Sequence, residues 1–349
     1  MSIIGVMLWD VFCRVIDYHG DVGVCWRLSS DLASRGEQVR LWIDDPLALA
    51  WMAPRGAAGV TVIRWVDPLP DLEPGDVVVE AFGCDPPPAF ITRMGARAAA
   101  PVWINLEYLS AEDYVERSHG LPSPQLAGPG VGLRKWFFYP GFTPSTGGLL
   151  RERSIAPEPA ALWGELGVAP HHGERTVSLF SYAHAPFDAL LDRLDHAPTL
   201  LLVTAGAGQA PLLERAAARR LQRVRVHALP WLTQRDYDRL LANCDLNFAR
   251  GEDSIVRAMW AGAPFVWHIY RQHDDAHVAK LEALLLRLGV DADVRALWRA
   301  WNRIGPWPPA LPAMGPWRLA AMQWRTRLLG QADLCSRLLQ FVAGKRVQG

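Results

Sequence analysis

The chain of 349 residues is long enough for two domains, each with its own hydrophobic core. Half of its residues are hydrophobic and 21% are charged, a composition that is typical of a globular protein and not of a disordered one. Its 36 basic residues balance its 36 acidic ones and no long basic run occurs, which argues against a general nucleic-acid or membrane-surface binder.

The cysteines and the apolar segments predict the compartment. The five cysteines are scattered, odd in number and form no Cys-x-x-Cys pair, which favours free buried thiols in a reducing compartment over disulfides or a zinc site. The apolar N-terminus lacks a basic region and a small-residue cleavage site, so it indicates a first strand and not a signal peptide. No run of 18 uninterrupted apolar residues could span a bilayer. We therefore predict a cytoplasmic protein without a membrane partner.

The first half of the chain alternates short apolar strands with helices. A helix at 23–35 carries Val24, Leu28 and Leu32 on one face. Strands are predicted at 3–9, 40–44, 60–65, 76–81 and 101–106. This alternation implies βαβ units and a parallel sheet with right-handed crossovers. The following stretch, rich in proline and glycine, predicts long loops around one short aromatic strand near a domain boundary.

The second half restarts the same pattern. Helices are predicted at 187–195, 234–243 and 253–261, and strands at 175–181, 199–204, 223–229, 245–249 and 264–268. Further helices fill the remainder, and the last one is expected to pack on the first domain. The predicted division is 1–160, 161–325 and a terminal helix in 326–349. Two α/β domains of similar size would face each other across a cleft at the carboxyl ends of their sheets.

An acidic segment follows the first predicted strand. Asp17 and Asp21 lie in the predicted strand-to-helix turn, where Gly20 and Gly23 permit tight backbone geometry. Open α/β sheets keep functional groups at this position, so two carboxylates four residues apart favour a functional site. The alternative is that Asp21 only caps the helix.

A second polar segment follows the strand predicted at 245–249. Arg250, Glu252, Asp253 and Ser254 stand in a predicted turn before a helix, and Asp253 or Ser254 is expected to be the helix cap. The free N–H groups and the positive end of that helix would suit a diphosphate, to which Arg250 could add a charge-assisted bond. The alternative is an ordinary capped surface helix.

A third set of residues could hold a nucleotide base. Its members follow predicted strands of the second half and are aromatic side chains or an amide: Phe180, Tyr182, Trp231, Gln234 and Tyr270. Aromatic faces could stack a pyrimidine, and Gln234 could read its edge. Taken singly, an aromatic residue of this kind more often belongs to the core than to a binding site.

Other chemistries are not indicated. His268, His273 and His277 surround Asp274 and Asp275, but their spacing matches no zinc signature, so no metal is expected. The Ala-Gly-Ala-Gly turn at 205–208 lacks the third glycine and the acidic partner of a dinucleotide fingerprint. No Gly-x-Ser-x-Gly elbow and no Walker loop occur.

Several long segments together resemble one family from Trp9 to about Leu285. They are WDVFCRVIDYHGDVGVCWRL, VRLWIDD, VVVEAFGCDPP, NLEYLSAEDYVERSHGLPSPQ, the FFYPGF and GGLLRER run, RGEDSIVRAMWAGAPFVWHIY and AHVAKLEALL. In this order they resemble the protein-arginine rhamnosyltransferases that modify elongation factor P, the EarP family.

The resemblance implies a GT-B fold of two facing Rossmann-like domains, the first for the acceptor and the second for the nucleotide sugar. It implies a dTDP-β-L-rhamnose donor, inversion at the sugar, no cofactor, and one arginine of elongation factor P as acceptor, which activates the factor to rescue ribosomes stalled at polyproline. The residues that match the family's catalytic positions are Asp17, Asp21 as general base, and Glu252. The residues that match its donor pocket are Phe180, Tyr182, Trp231, Gln234, Arg250, Asp253, Ser254 and Tyr270.

The sequence departs from the family pattern in a few places. Tyr18 and His19 stand between the two aspartates where the family usually has asparagine and an aromatic residue, Trp231 stands where phenylalanine is usual, and Arg271 where proline is usual. Two other functions stay open at this point. One is a GT-B transferase with another donor and a small-molecule or lipid acceptor, and the other is a non-catalytic protein-binding module on a degenerate GT-B fold.

Overall fold

The computed structural model describes residues 5–16, 19–152, 159–272 and 274–347. The chain divides into two units. The first comprises Met1–Glu152 and Gln331–Gly349, and the second comprises Arg153–Gly330. In the described ranges, no helix is long and apolar enough to cross a membrane.

The first unit is built on a sheet that is parallel except at one edge. Its strands are β1 (Leu8–Cys13), β2 (Gln38–Ile43), β3 (Val60–Arg64), β4 (Val77–Ala81), β5 (Val102–Leu106), β6 (Pro122–Pro124) and β7 (Arg134–Phe138). Their order is β3-β2-β1-β4-β5-β7-β6, and β6 alone of these strands pairs antiparallel. The parallel βαβ arrangement predicted from the alternating pattern is confirmed.

Helices cover both faces of this sheet. They are α1 (Gly20–Ser34), α2 (Leu49–Met52), α3 (Pro88–Ala96), α4 (Tyr114–Ser118) and, from the end of the chain, α13 (Leu334–Val347). Because successive strand residues point to opposite faces, Trp9 and Val11 pack with α1 and α13, whereas Phe12 packs with Phe90 of α3. The central strands β1, β4 and β5 are therefore buried on both sides, as their continuous apolar sequences require.

The first strand lies further along the chain than predicted. The prediction places this strand at 3–9, and its residues 3 and 4 lie outside the described residues. In the structure β1 begins at Leu8 and continues through the buried carboxylate of Asp10 to Cys13. Arg40 donates two hydrogen bonds of 2.7 Å to Asp10, and Trp42 Nε1 and the Gly75 N–H donate two more. These donors offset the cost of burying the charge, so a residue that looked like the end of a strand lies inside one.

The second unit contains a five-stranded parallel sheet within the described residues. Its strands are β8 (Arg175–Leu179), β9 (Thr199–Val203), β10 (Val224–Ala228), β11 (Leu246–Arg250) and β12 (Phe265–His268). Their order is β10-β9-β8-β11-β12. Each strand lies within a few residues of its predicted range, because short apolar runs bounded by polar residues mark buried parallel strands well.

The helices of the second unit pack around that sheet. They are α5 (Pro159–Glu165), α6 (Phe187–Leu194), α7 (Gln209–Ala217), α8 (Gln234–Asn243), α9 (Gly251–Ala261), α10 (Ala276–Leu288), α11 (Ala292–Trp301) and α12 (Met314–Leu329). Leu200 and Leu202 of β9 form a core with Leu162 and Leu240. Trp298 packs on Phe265 and donates from Nε1 to its carbonyl oxygen at 3.0 Å.

All five cysteines are buried and free. The prediction of free thiols is confirmed.

Candidate active site

The donor-site candidates of the second unit lie at the carboxyl edge of its sheet. Strand order changes direction between β8 and β11, because β9 and β10 follow β8 on one side while β12 follows β11 on the other. Phe180 and Tyr182 come directly after β8, and Arg250 ends β11. Ligands of open α/β sheets bind at such a switch point, since the loops of neighbouring strands diverge there and leave a crevice.

Arg250 holds the centre of this region. Its guanidinium carbon lies 4.3 Å from the ring centroid of Phe180 and 4.9 Å from that of Tyr182. Nη1 donates to the carbonyl oxygen of Ser181 at 3.4 Å, and the residue is only 5% exposed. The two rings and the carbonyl fix a buried cation in place by cation–π and hydrogen-bond contacts.

The helix α9 starts immediately after this arginine. The sequence predicted a strand ending at Ala249, a polar turn and a helix from Asp253, but β11 runs through Arg250 and α9 begins at Gly251. Gly251 has a φ of +67°, a backbone region that glycine tolerates, so the strand turns into the helix without a loop.

The predicted caps of this helix are therefore wrong. Arg250 occupies the N-cap position, and Asp253 lies inside the first turn. The Ser254 hydroxyl donates to the Arg250 carbonyl oxygen, one turn back. The first turn of a helix presents N–H groups that its own carbonyls do not satisfy, together with the positive end of the helix dipole. The N-cap residue of this end, Arg250, carries a positive charge, and both features attract an anion.

A glycine-rich turn, residues 205–208, packs against Phe180 and Ser181. A Cβ atom on Gly208 would come within 2.7 Å of the Ser181 carbonyl oxygen, and one on Gly206 would meet the Phe180 ring at 3.1 Å. The glycines of the turn at 205–208 therefore let the chain pack closely against Phe180 and Ser181.

Aromatic rings continue from Tyr182 along the sheet edge. Tyr182 meets Tyr270 edge to face at 5.8 Å and His268 at 5.0 Å, and Tyr270 is 47% exposed. The Tyr182 N–H donates to Nδ1 of His268 at 3.3 Å. Burial and the neighbouring His184 and Arg250 lower the pKa of His268 well below its usual value, which keeps Nδ1 available as an acceptor.

Trp231 and Gln234 lie at the same edge of the sheet, after β10. Trp231 is 44% exposed, and Gln234 is the first residue of α8, whose N-cap Thr233 accepts from the Asp236 N–H at 3.1 Å. A half-exposed indole offers a flat apolar surface to a ligand.

Glu252 in the first turn of α9 forms an ion pair. Lys280 Nζ lies 2.6 Å from Glu252 Oε1, and each side chain is 18% exposed. The lysine belongs to α10 and had no role in the sequence prediction, since a single lysine on the polar face of a helix carries no local signal.

The acidic candidate of the first unit lies at the corresponding switch point, between β1 and β4. Asp21 is in the first turn of α1, which begins at Gly20 and not at 23 as predicted. His19 is the N-cap residue, so the interpretation of Asp21 as the cap is wrong. Asp21 is 4% exposed, and its Oδ2 accepts from the Ile16 N–H at 2.8 Å. Asp17 lies outside the described residues.

The histidine-rich segment has ordinary partners where it is described. His277 Nδ1 accepts from the Gln272 N–H at 3.3 Å, and Asp274 accepts from the Ala276 N–H at 3.2 Å. His273 lies outside the described residues. Across the part of the chain that is described, no three histidine, cysteine or acidic side chains form a group that could hold a metal ion.

Comparison with known proteins identifies the family. Residues 9–343 match the family described as Elongation-Factor P (EF-P) rhamnosyltransferase EarP. The chain is 41% identical to a protein-arginine rhamnosyltransferase of Pseudomonas aeruginosa, over 96% of this chain and 98% of that one. It is 43% identical to one from Pseudomonas putida, over 95% and 98%.

Solved structures agree in fold. A structure titled as the basis for EarP-mediated arginine glycosylation of translation elongation factor EF-P matches with a TM-score of 0.64 and 31% identity, over 97% of this chain and 99% of that one. The glycosyltransferase SnogD from Streptomyces nogalater matches with a TM-score of 0.55 at 16% identity, over 97% and 99%, which supports the fold alone. The chain therefore belongs to the EarP family and is a glycosyltransferase of the protein-arginine rhamnosyltransferase class, with a GT-B fold.

Proposed function

We propose that this enzyme transfers L-rhamnose from dTDP-β-L-rhamnose to one arginine side chain of elongation factor P, with inversion at the anomeric carbon. The observation that carries the proposal is the buried Arg250, which is the N-cap residue of α9 and stacks on Phe180 at the switch point of the second sheet. Membership of the EarP family supports the acceptor and the sugar.

The donor would be held by the second unit. Its diphosphate would lie against the first turn of α9, where the helix dipole and the Arg250 guanidinium stabilise negative charge. The thymine would stack on the aromatic residues at the sheet edge, of which Tyr270 and Trp231 are the most exposed. Gln234, Asp253 and Ser254 complete the proposed pocket.

Leaving-group stabilisation in this proposal needs no metal ion. As the bond between sugar and diphosphate breaks, negative charge grows on the departing phosphate oxygen. A fixed guanidinium and helix N–H groups stabilise that charge without reorganising, which is the most effective form of electrostatic catalysis.

The acceptor chemistry would fall to the first unit. A guanidinium stays protonated to a pKa above about 12, so it is a poor nucleophile until a proton is withdrawn. A carboxylate can accept two hydrogen bonds from the guanidinium N–H groups and take the proton as the C–N bond forms. We assign this role to Asp21, with Asp17 as the second carboxylate four residues earlier in the sequence. Attack from the face opposite the diphosphate then inverts the anomeric carbon in one displacement, with no enzyme nucleophile.

Glu252 is the third proposed catalytic residue. Its place in the first turn of α9 puts it next to the proposed diphosphate site, where it would hold the sugar or the ribose. Because the proposed acceptor is a translation factor, the proposed site of action is the cytoplasm. The rhamnosylated factor would then help ribosomes through consecutive prolines.

The test is the intact mass of elongation factor P after incubation with enzyme and dTDP-rhamnose. The expected result is a gain of one deoxyhexose, located by peptide sequencing to a single arginine. Transfer only from another nucleotide sugar, or only to a small or lipid acceptor, would instead identify a different GT-B transferase. Binding of the factor without transfer from any donor would identify a non-catalytic binding module.

A further inference from the structure

The first turn of α9 contributes negative charge of its own at the proposed diphosphate site. Glu252 and Asp253 are adjacent acidic residues in that turn. The dipole of a helix contributes about half a positive charge at its N-terminus, which a single carboxylate already outweighs. A diphosphate at the same helix end would meet like charges, which repel strongly where water is partly excluded.

Lys280, which belongs to another helix, places a positive charge against this turn. Its ammonium lies 2.6 Å from Glu252 Oε1, across 28 residues of sequence. Trp267 contacts both partners of this region. Its Nε1 donates to the Gly251 carbonyl oxygen at 2.9 Å, and its ring centroid lies 6.0 Å from the Lys280 ammonium. The lysine, the indole and the start of α9 thus form one packed group.

We infer that Lys280 is a positioning residue for the nucleotide-sugar donor, which neutralises and orients Glu252 so that the start of α9 accepts a diphosphate. This inference rests on the proposed function, since it assumes that the donor's diphosphate binds at this helix end. It predicts that the lysine acts on donor affinity through the glutamate and not through a contact of its own.

The first experiment measures dTDP binding by calorimetry in the full-length enzyme. Lys280→Met should weaken binding on the order of tenfold, because the positive charge beside Glu252 is then lost next to the diphosphate. Lys280→Arg should restore most of the affinity, since it keeps the charge. In transfer assays, the KM for the nucleotide sugar should rise by more than kcat falls. Should Lys280→Met fail to fold in a melting experiment, Lys280→Gln carries the same test.

The decisive variant is the pair Lys280→Met with Glu252→Gln. Removing both charges should return dTDP affinity close to that of the Glu252→Gln enzyme. Equal weakening with and without the glutamate charge would mean that the lysine contacts the ligand itself, and the inference would be overturned. Unchanged dTDP affinity in Lys280→Met would overturn it too.

A matched control comes from the same helix. Glu282 of α10 forms an ion pair with Arg299 of α11 at 2.6 Å, with side chains 36% and 41% exposed. Arg299→Met therefore breaks a more exposed ion pair of the same helix, one that does not include a residue of α9, and should leave dTDP affinity unchanged. A loss equal to that of Lys280→Met would indicate a general effect of α10 and contradict the inference. If the unaltered enzyme does not bind dTDP, the proposed function itself is contradicted. If the unaltered enzyme binds dTDP and the Lys280 variants bind it equally well, only the inference about Lys280 is contradicted.

Discussion

Asp21→Asn should abolish most of the catalytic activity while leaving the first unit folded. The asparagine side chain has the same shape and keeps one oxygen that can accept from the Ile16 N–H, now 2.8 Å from Oδ2. The loss of charge weakens that hydrogen bond and the favourable interaction with the start of α1. Each effect costs about 0.5 to 1.5 kcal/mol of unfolding free energy. A domain stability of roughly 5 to 15 kcal/mol absorbs such a loss, so the variant stays folded.

The expected effect on the reaction is much larger. A positioned general base contributes about 10²- to 10⁴-fold to the rate, which corresponds to roughly 3 to 5 kcal/mol of activation free energy. We expect kcat for arginine glycosylation to fall by this factor in Asp21→Asn, while the affinity for dTDP in calorimetry stays within about twofold, a change of less than half a kilocalorie per mole.

A matched control is available on the same helix. Asp31 accepts two hydrogen bonds from Arg35, at 3.1 and 2.9 Å, and lies far along α1 from its first turn. Asp31→Asn makes the same chemical change and should lower stability without lowering kcat. Loss of dTDP binding in Asp21→Asn, or an equal loss of kcat in Asp31→Asn, would refute the assignment of Asp21 as the base.

Three further outcomes follow from charges that the fold buries. Arg250→Met removes the cation over Phe180 and should weaken dTDP binding roughly 10- to 100-fold, the value of a charge-assisted hydrogen bond; equal affinity in calorimetry would contradict the proposed diphosphate site. Asp10→Ala removes a fully buried carboxylate from Arg40, whose side chain is 14% exposed, and should lower the free energy of urea unfolding by about 3 to 5 kcal/mol. A loss below about 1 kcal/mol, at the level of an exposed pair, would contradict this. Burial lowers the pKa of His119 to about 4, so the unfolded chain binds the proton first as pH falls. As pH falls from about 6.5 to about 4, the free energy of unfolding should therefore decrease more steeply in wild type than in His119→Asn. Urea midpoints that change equally with pH in the two proteins would contradict this.

The sequence predicted the elements of the second unit closely. The helix α8 lies at its predicted residues, and β8 to β12 lie within two residues of theirs. Their signals are local, because a short apolar run or a 3.6-residue period is visible without knowledge of any neighbour. The predicted limits are wrong at β1, where hydrogen bonds from distant residues keep Asp10 inside the strand, and at α9, where Gly251 begins the helix before Glu252.

Caps illustrate the same limit. The sequence favoured Asp253 or Ser254 as the cap of α9, since these side chains often accept from helix N–H groups. In the structure Arg250 takes that position, because Gly251 turns the strand directly into the helix. The capping preference therefore places the start of this helix two residues too late.

The sequence alone determined that two parallel-sheet units would form and that polar residues would follow their strands, because alternation of strands and helices dictates where strand ends lie. Only the tertiary structure decided which of those residues meet. The Arg250 guanidinium stacks on Phe180, 70 positions earlier, because β8 and β11 are neighbours in the sheet, and Glu252 pairs with Lys280 because α9 and α10 bring their side chains together. Such pairs depend on strand order and helix packing, which no local pattern of residues records.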